Sequence, residues 1–135
     1  MTDKDIKEIA EWLDSGMICY YHRPTKTIEY HPDPDDPYFE PDPWQETIDK
    51  VEEDWDNYDQ FEKMTSNQGF EVMKDFADSL KDSEFQEKIY NRLYRPRPFQ
   101  NFKNLIDNSD YRQNWFDFKA KAYIDFTKRQ IGLKK

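Results

Sequence analysis

The chain predicts an α+β fold: a small antiparallel β-hairpin or three-stranded sheet packed among about six helices, with the C-terminal half all helical. Three observations carry this. Two short aromatic and β-branched runs lie close together near the start, MICYYH at 17–22 and TIEYH at 27–31. A proline-dense stretch at 32–43 (PDPDDPYFEPDP), holding five of the eight prolines, separates them from the rest of the chain. Beyond residue 65 the apolar residues recur at intervals of three and four rather than two.

Residues 3–14 form the first helix, because Ile6, Ile9, Ala10 and Leu13 share one face and Gly16 stands just beyond as a stop. The two short runs then pair as a hairpin across RPTK, whose proline can have no ladder obligation. Alternation puts Ile18, Tyr20 and His22 on one face of the first strand, and Met17, Cys19 and Tyr21 on the other. Proline removes backbone donors and turns its predecessor away from helix, so 32–43 is an extended loop. Trp44, Ile48, Val51 and Trp55 mark a helix over 44–55, and residues 58–64 are a candidate third strand. Ser66 is the expected N-cap of a helix to Leu80, with Phe70, Met73, Phe76, Ala77 and Leu80 inward. Ser83 is the expected cap of the next, carrying Phe85, Ile89 and Leu93, and RPRP at 95–98 ends it. Phe99, Phe102 and Ile106 mark a short helix. Tyr111, Trp115, Phe118, Ala122 and Phe126 then form the longest clean stripe, widened by Phe116, Ala120 and Tyr123. The tail, KRQIGLKK, is expected to fray. There is no internal repeat and no heptad pattern.

The length, 135 residues, fits a single domain spanning 1–135. The chain is polar, with 36% charged residues and a mean hydropathy of -1.21. Phe, Ile, Leu and Val together sit near the composition at which chains stop folding. Aromatics decide for folding: 10 Phe, 9 Tyr and 4 Trp outnumber all the Ile, Leu and Val, and each ring buries roughly 150–250 Å². No stretch approaches the roughly 20 apolar residues of a membrane helix, and the N-terminus lacks a basic start followed by an apolar run. A lone cysteine, Cys19, can form no internal disulfide and no zinc site by itself. The expected compartment is the cytoplasm.

Charge is distributed unevenly. Residues 1–63 hold 19 acids against 6 bases, whereas residues 64–135 hold 10 acids against 14 bases. Between Glu29 and Glu62 there are 14 acids and a single base, Lys50.

Two segments carry a resemblance: MICYYHRPTKTIEYHPD near the start, and RPFQNFKNLIDNSDYRQNWFDFK at 97–119 following the helix FEVMKDFADSL. Pro98, Phe99, Asn101, Phe102, Lys103, Tyr111, Arg112, Trp115, Phe116 and Phe118 are its principal elements. In these the chain resembles uncharacterised protein family 0158, a bacterial family of small cytosolic proteins. The resemblance implies no established activity and supplies no catalytic residue.

The acidic loop offers His31, Asp33, Asp35, Asp36, Glu40 and Asp42. Dense oxygen ligands suggest a hard cation, but the EF-hand order and its glycine are missing, and interleaved prolines keep the chain from wrapping an ion. The favoured role for Asp33, Asp35, Asp36, Glu40 and Asp42 is a negative face for a basic protein partner. The opposite charge lies in RLYRPRPFQNFK, where Arg92, Arg95, Arg97 and Lys103 alternate with Tyr94, Phe99 and Phe102. Cations beside rings suit RNA or DNA, although rings at helical spacing are usually core and the sequence pI is about 4.7. Nucleophilic chemistry has little support. Cys19 and His22 point to opposite faces of one strand, no serine sits in a nucleophile elbow, and the three glycines assemble no phosphate loop. The expectation is therefore a cytoplasmic interaction protein with no catalytic residues, no cofactor and no bound metal; metal-assisted catalysis by the loop acids is the outlying alternative. The sequence leaves the oligomeric state open.

Overall fold

The computed structural model describes residues 1–133, and its helices and strands arise directly from local sequence chemistry. Helix α1 (Asp3–Asp14) opens on a capping box, in which Thr2 and Asp5 each accept the other's backbone N–H. It closes at Gly16, whose φ of +89° is the left-handed conformation glycine reaches without a Cβ penalty. Strands β1 (Met17–His22) and β2 (Thr27–Pro32) pair antiparallel, and β3 (Tyr58–Phe61) pairs antiparallel to the other side of β1. The sheet order is β2-β1-β3, so β1 is central. In register, Cys19 faces Tyr30 on one side and Phe61 on the other, and His22 faces Thr27 and Tyr58. Helix α2 (Gln45–Glu53) lies between β2 and β3 in sequence, flanked by 3-10 turns at Asp42–Trp44 and Trp55–Asn57.

Four helices complete the chain: α3 (Ser66–Ser79), α4 (Ser83–Leu93), α5 (Pro98–Asp107) and α6 (Arg112–Leu133). The architecture is thus α+β, with six α-helices and a three-stranded antiparallel sheet among the described residues, and a helical C-terminal half.

The chain divides into two compact units, residues 1–63 with 123–135, and residues 64–122. In the first, α1 buries Ile9, Ala10 and Leu13 and packs on β1, whose Cys19, Tyr20 and Tyr21 are all buried. Three consecutive buried residues mean that both faces of β1 are covered. Trp12 stacks on Tyr30 with ring centroids 3.7 Å apart. Val51, Phe61, Phe126 and Thr127 complete this core. In the second unit, Met73, Phe76, Ala77, Phe85, Ile89, Leu93, Phe102 and Ile106 form one buried cluster. Tyr111, Trp115 and Phe118 pack against it, so this part of the long aromatic stripe is core.

Several boundaries differ from the sequence expectation for physical reasons. Thr65, rather than Ser66, caps α3, because Thr65 and Gln68 form a full capping box one residue earlier. Asp82, rather than Ser83, caps α4 and accepts the Phe85 N–H. Trp55 does not continue the α2 stripe: the helix ends at Glu53 and Trp55 is half exposed in a 3-10 turn. The tail does not fray at Lys128. Phe126 and Thr127 are buried, Gln130 exchanges two hydrogen bonds with the Glu62 backbone at 2.9 Å, and the helix runs on to Leu133. Lys134 and Lys135 lie outside the described residues.

Candidate functional site

The acidic loop comes after β2, and consecutive turns built by its own aspartates shape it. Asp33 Oδ1 accepts the Asp35 N–H and Asp36 Oδ1 accepts the Tyr38 N–H, both at 2.9 Å. Backbone bonds from Asp36 N–H to Asp33 O and from Phe39 N–H to Asp36 O close the same turns. Prolines between them preset φ and contribute no competing donors. Two rings tie the loop to β2: Phe39 lies 6.5 Å from His31, and Trp44 lies 6.2 Å from Tyr30.

The five predicted acids divide by role. Asp33 is partly buried, bonds the Asp35 N–H, and pairs with Lys63 at 3.4 Å; these contacts, the backbone bond first, hold its carboxyl below the ordinary range. Asp36 uses one oxygen on the turn. Asp35, Glu40 and Asp42 are exposed and make no ion pair among the described residues. Beside them Tyr38 is 90% exposed. Asp36, Tyr38, Phe39, Glu40, Pro43 and Trp44 line an open pocket of about 260 Å³. Rings and carboxylates around one opening form a surface for a cation with an apolar stem: the π-faces attract the charge and the acids neutralise it.

His31 is not part of that acidic surface. It is buried, its Nδ1 lies 2.7 Å from Pro32 O and its Nε2 3.0 Å from Tyr20 Oη. The carbonyl only accepts, so Nδ1 carries the proton and Nε2 of the neutral ring accepts from the Tyr20 hydroxyl. Among the described residues no three His, Cys, Asp or Glu side chains gather into a metal-binding group.

The basic segment spans the end of α4 and the start of α5. Arg95 and Arg97 are exposed and unpaired among the described residues, whereas Lys103 pairs with Asp107 at 3.0 Å. Helical spacing suggested that the neighbouring rings were core, and only Phe102 is. Tyr94 is 68% exposed and Phe99 45%. Phe99 points past Gly69, where an added Cβ would meet its ring at 3.3 Å. Arg92, whose carbonyl accepts the Arg95 N–H, is a wall of an open cleft of about 630 Å³ between α4 and α5, with Lys88, Asn101 and Asn104.

The sequence did not single out the surroundings of His22. Its ring bridges Asp54 and Thr25, in a cleft of about 490 Å³ that Lys50 and Tyr58 also line. The His22 bond, then the Asn57 amide, hold the Asp54 carboxyl below its usual range. No motif announces this group, because Asp54 lies 32 residues from His22 and only the β1–β3 pairing brings them together. Cys19 stays apart from it: its Sγ contacts Ile9 O at 3.9 Å, and burial pushes the thiol up to about 12.

Residues 37–126, two thirds of the chain, match the family described as Uncharacterised protein family (UPF0158). The chain belongs to this family. The matched stretch begins at Pro37, inside the acidic loop, and runs into α6, so α1 and the β1–β2 hairpin precede it. No curated protein and no solved structure matches the chain. No helix among the described residues is long and apolar enough to cross a membrane.

Proposed function

We propose that this UPF0158 member is a cytoplasmic protein–protein interaction module that receives basic side chains of a partner protein on the loop from Asp33 to Trp44. The single observation that carries this reading is the exposed Tyr38 ring, which lines one pocket with Asp36 and Glu40 on a loop that also displays the unpaired carboxylates of Asp35 and Asp42. Such a surface attracts an arginine- or lysine-rich segment at long range, then holds one cation over a ring at about 0.5–1 kcal/mol for an exposed site. The test uses a fluorescent nona-arginine peptide and the full chain. Tyr38→Ala and the pair Asp35→Asn with Glu40→Gln each weaken binding several-fold. Neutralising two exposed acids elsewhere, Glu71→Gln with Glu87→Gln, changes it far less. Equal losses from both acid pairs would mean that net charge alone attracts the peptide.

A second reading has its own observation. Tyr94 and Phe99 stand exposed beside the unpaired Arg95 and Arg97, a combination that suits single-stranded nucleic acid. Replacing both arginines with alanine then abolishes retention of a single-stranded RNA oligonucleotide, and unchanged retention removes this reading.

A further inference from the structure

The cleft beside the β1–β2 turn carries a chain of hydrogen bonds that the acidic loop does not use. His22 Nε2 lies 2.6 Å from Asp54 Oδ2, and His22 Nδ1 lies 2.6 Å from Thr25 Oγ1. Thr25 Oγ1 lies 2.8 Å from Thr27 Oγ1. The partners fix where the protons are. Asp54 is a carboxylate and only accepts, so Nε2 carries the hydrogen. With the ring neutral, Nδ1 is bare and the Thr25 hydroxyl donates to it. Thr25 Oγ1 in turn accepts from the Thr27 hydroxyl. The order is carboxylate, imidazole, hydroxyl, which is how a weak hydroxyl nucleophile is activated. Relative to the serine-protease arrangement the two ring nitrogens exchange roles, because Thr25 sits only three residues along the same turn.

Burial and access suit this assignment. The His22 side chain is 13% exposed, so its ring is held in place, while Thr25 lies at the exposed turn where a substrate can reach it. The Thr25 N–H donates to no group among the described residues, leaving one donor beside the hydroxyl. The local charge selects the substrate class. Glu53 and Asp54 line the cleft, and the one cation in its lining, Lys50, is paired with Glu29 at 2.6 Å; of the turn's own cations, Arg23 is paired with Asp59 at 2.7 Å and Lys26 is exposed. A phosphoryl donor would meet the two lining carboxylates; a neutral acyl donor meets no such repulsion.

We propose that Thr25 is an activated nucleophile that takes the acyl group of a neutral activated ester, with His22 as general base and Asp54 as its positioning residue. Thr25 Oγ1 forms a bond to the acyl carbonyl carbon as its proton passes to His22 Nδ1. The tetrahedral adduct then breaks the bond to the leaving oxygen, which departs as the alcohol or phenol with the proton from Nδ1. The products are acyl-Thr25 and the free alcohol, and no oxidant or metal enters the balance.

The probe is p-nitrophenyl acetate, incubated with the full chain and read both as released p-nitrophenol and as acetyl position by peptide mass spectrometry. The expected result is acetyl on Thr25, retained in Thr25→Ser and slowed by about 100-fold or more in His22→Gln. Lysine acetylation in the same samples is unchanged between these variants and serves as the internal reference. Asp54→Asn alters the pH profile of the Thr25 rate without changing lysine labelling. Acetyl confined to lysines and the N-terminus of the wild-type chain overturns the proposal. So does equal Thr25 labelling in a His22→Gln protein whose circular dichroism matches wild type.

Discussion

Residues 64–122 bury only apolar side chains, whereas residues 1–63 with 123–133 bury a thiol, an imidazole, two phenols and a threonine hydroxyl together with their hydrocarbon. In the helical unit Phe76 meets Trp115 and Phe118 edge-on at 5.4 Å, and Phe102 at 6.5 Å, so stability there is a matter of filled volume. In the sheet-containing unit each buried polar group has been matched. Tyr20 bonds His31, Thr127 bonds the Tyr123 carbonyl at 2.8 Å, and no buried side-chain nitrogen or oxygen among the described residues lacks a partner. Stability there depends on protonation and hydrogen-bond geometry as well as volume. The charges divide in the same way. In sequence, residues 1–63 with 123–135 hold 20 acids and 10 bases, and residues 64–122 hold 9 acids and 10 bases.

The sharpest way to break this contrast is to remove volume. Phe76→Ala empties the middle of the helical core and costs about 3–5 kcal/mol in urea unfolding. A cost below about 1 kcal/mol would mean that the ring cluster is not the source of stability. Alkali should act mainly on the sheet-containing unit. Burial raises the Cys19 thiol from 9.0 to about 12 and the Tyr123 phenol from 10.0 to about 12. Both are acids with raised folded values, so stability is full below about pH 9 and is lost as pH climbs toward about 12. Cys19 accounts for up to about 4 kcal/mol of that loss at the top of the range. Cys19→Ala therefore flattens the alkaline limb of a thermal-unfolding profile. In the helical unit Tyr90 also rises to about 12, but because its hydroxyl donates to the exposed Asp78. Salt thus lowers its titration, monitored by tyrosinate absorbance, more than that of Tyr123, where burial outweighs the Asp14 charge.

A finer probe deletes single hydroxyls. Tyr20→Phe leaves His31 Nε2 without a partner inside the protein and costs about 1–3 kcal/mol. Tyr111→Phe, which removes an exposed bond to Asp82 of 2.7 Å, costs less than half as much. Equal costs would erase the distinction between the units. At the bottom of the scale, Lys103→Ala breaks an exposed i,i+4 pair with Asp107 and shifts stability by under about 0.5 kcal/mol.

Most of the fold was legible in the sequence, for identifiable reasons. The switch from period two to helical spacing marked the hairpin and α3 to α6, and the stops at Gly16 and at RPRP fell where glycine and proline chemistry put them. Caps were displaced by one residue, because Thr65-Ser66 and Asp82-Ser83 each offer two competent caps and only the geometry of the turn chooses between them. Ring exposure was not legible: Phe99 and Phe102 are three apart on one short helix, yet one is half exposed and the other buried. The acidic loop was visible in composition, but the division between Asp33, tied to Lys63, and the unpaired Asp35 and Glu40 was not. The His22 cluster was invisible, since strand pairing and a later turn assemble it.

Lys26 and Arg97 adopt left-handed conformations, at φ 58° and 59°, in a chain that has only three glycines. For a residue with a Cβ this costs roughly 1–2 kcal/mol, which glycine would not incur. Lys26→Gly and Arg97→Gly should each raise the melting temperature by a few degrees, since neither side chain forms an ion pair among the described residues. A molecule shaped for thermal endurance alone would carry glycine at both places. Long cations stand there instead, one beside the Thr25 turn and one beside the exposed rings of the basic segment. At these two points the molecule keeps a charge displayed to solvent in place of a margin against melting.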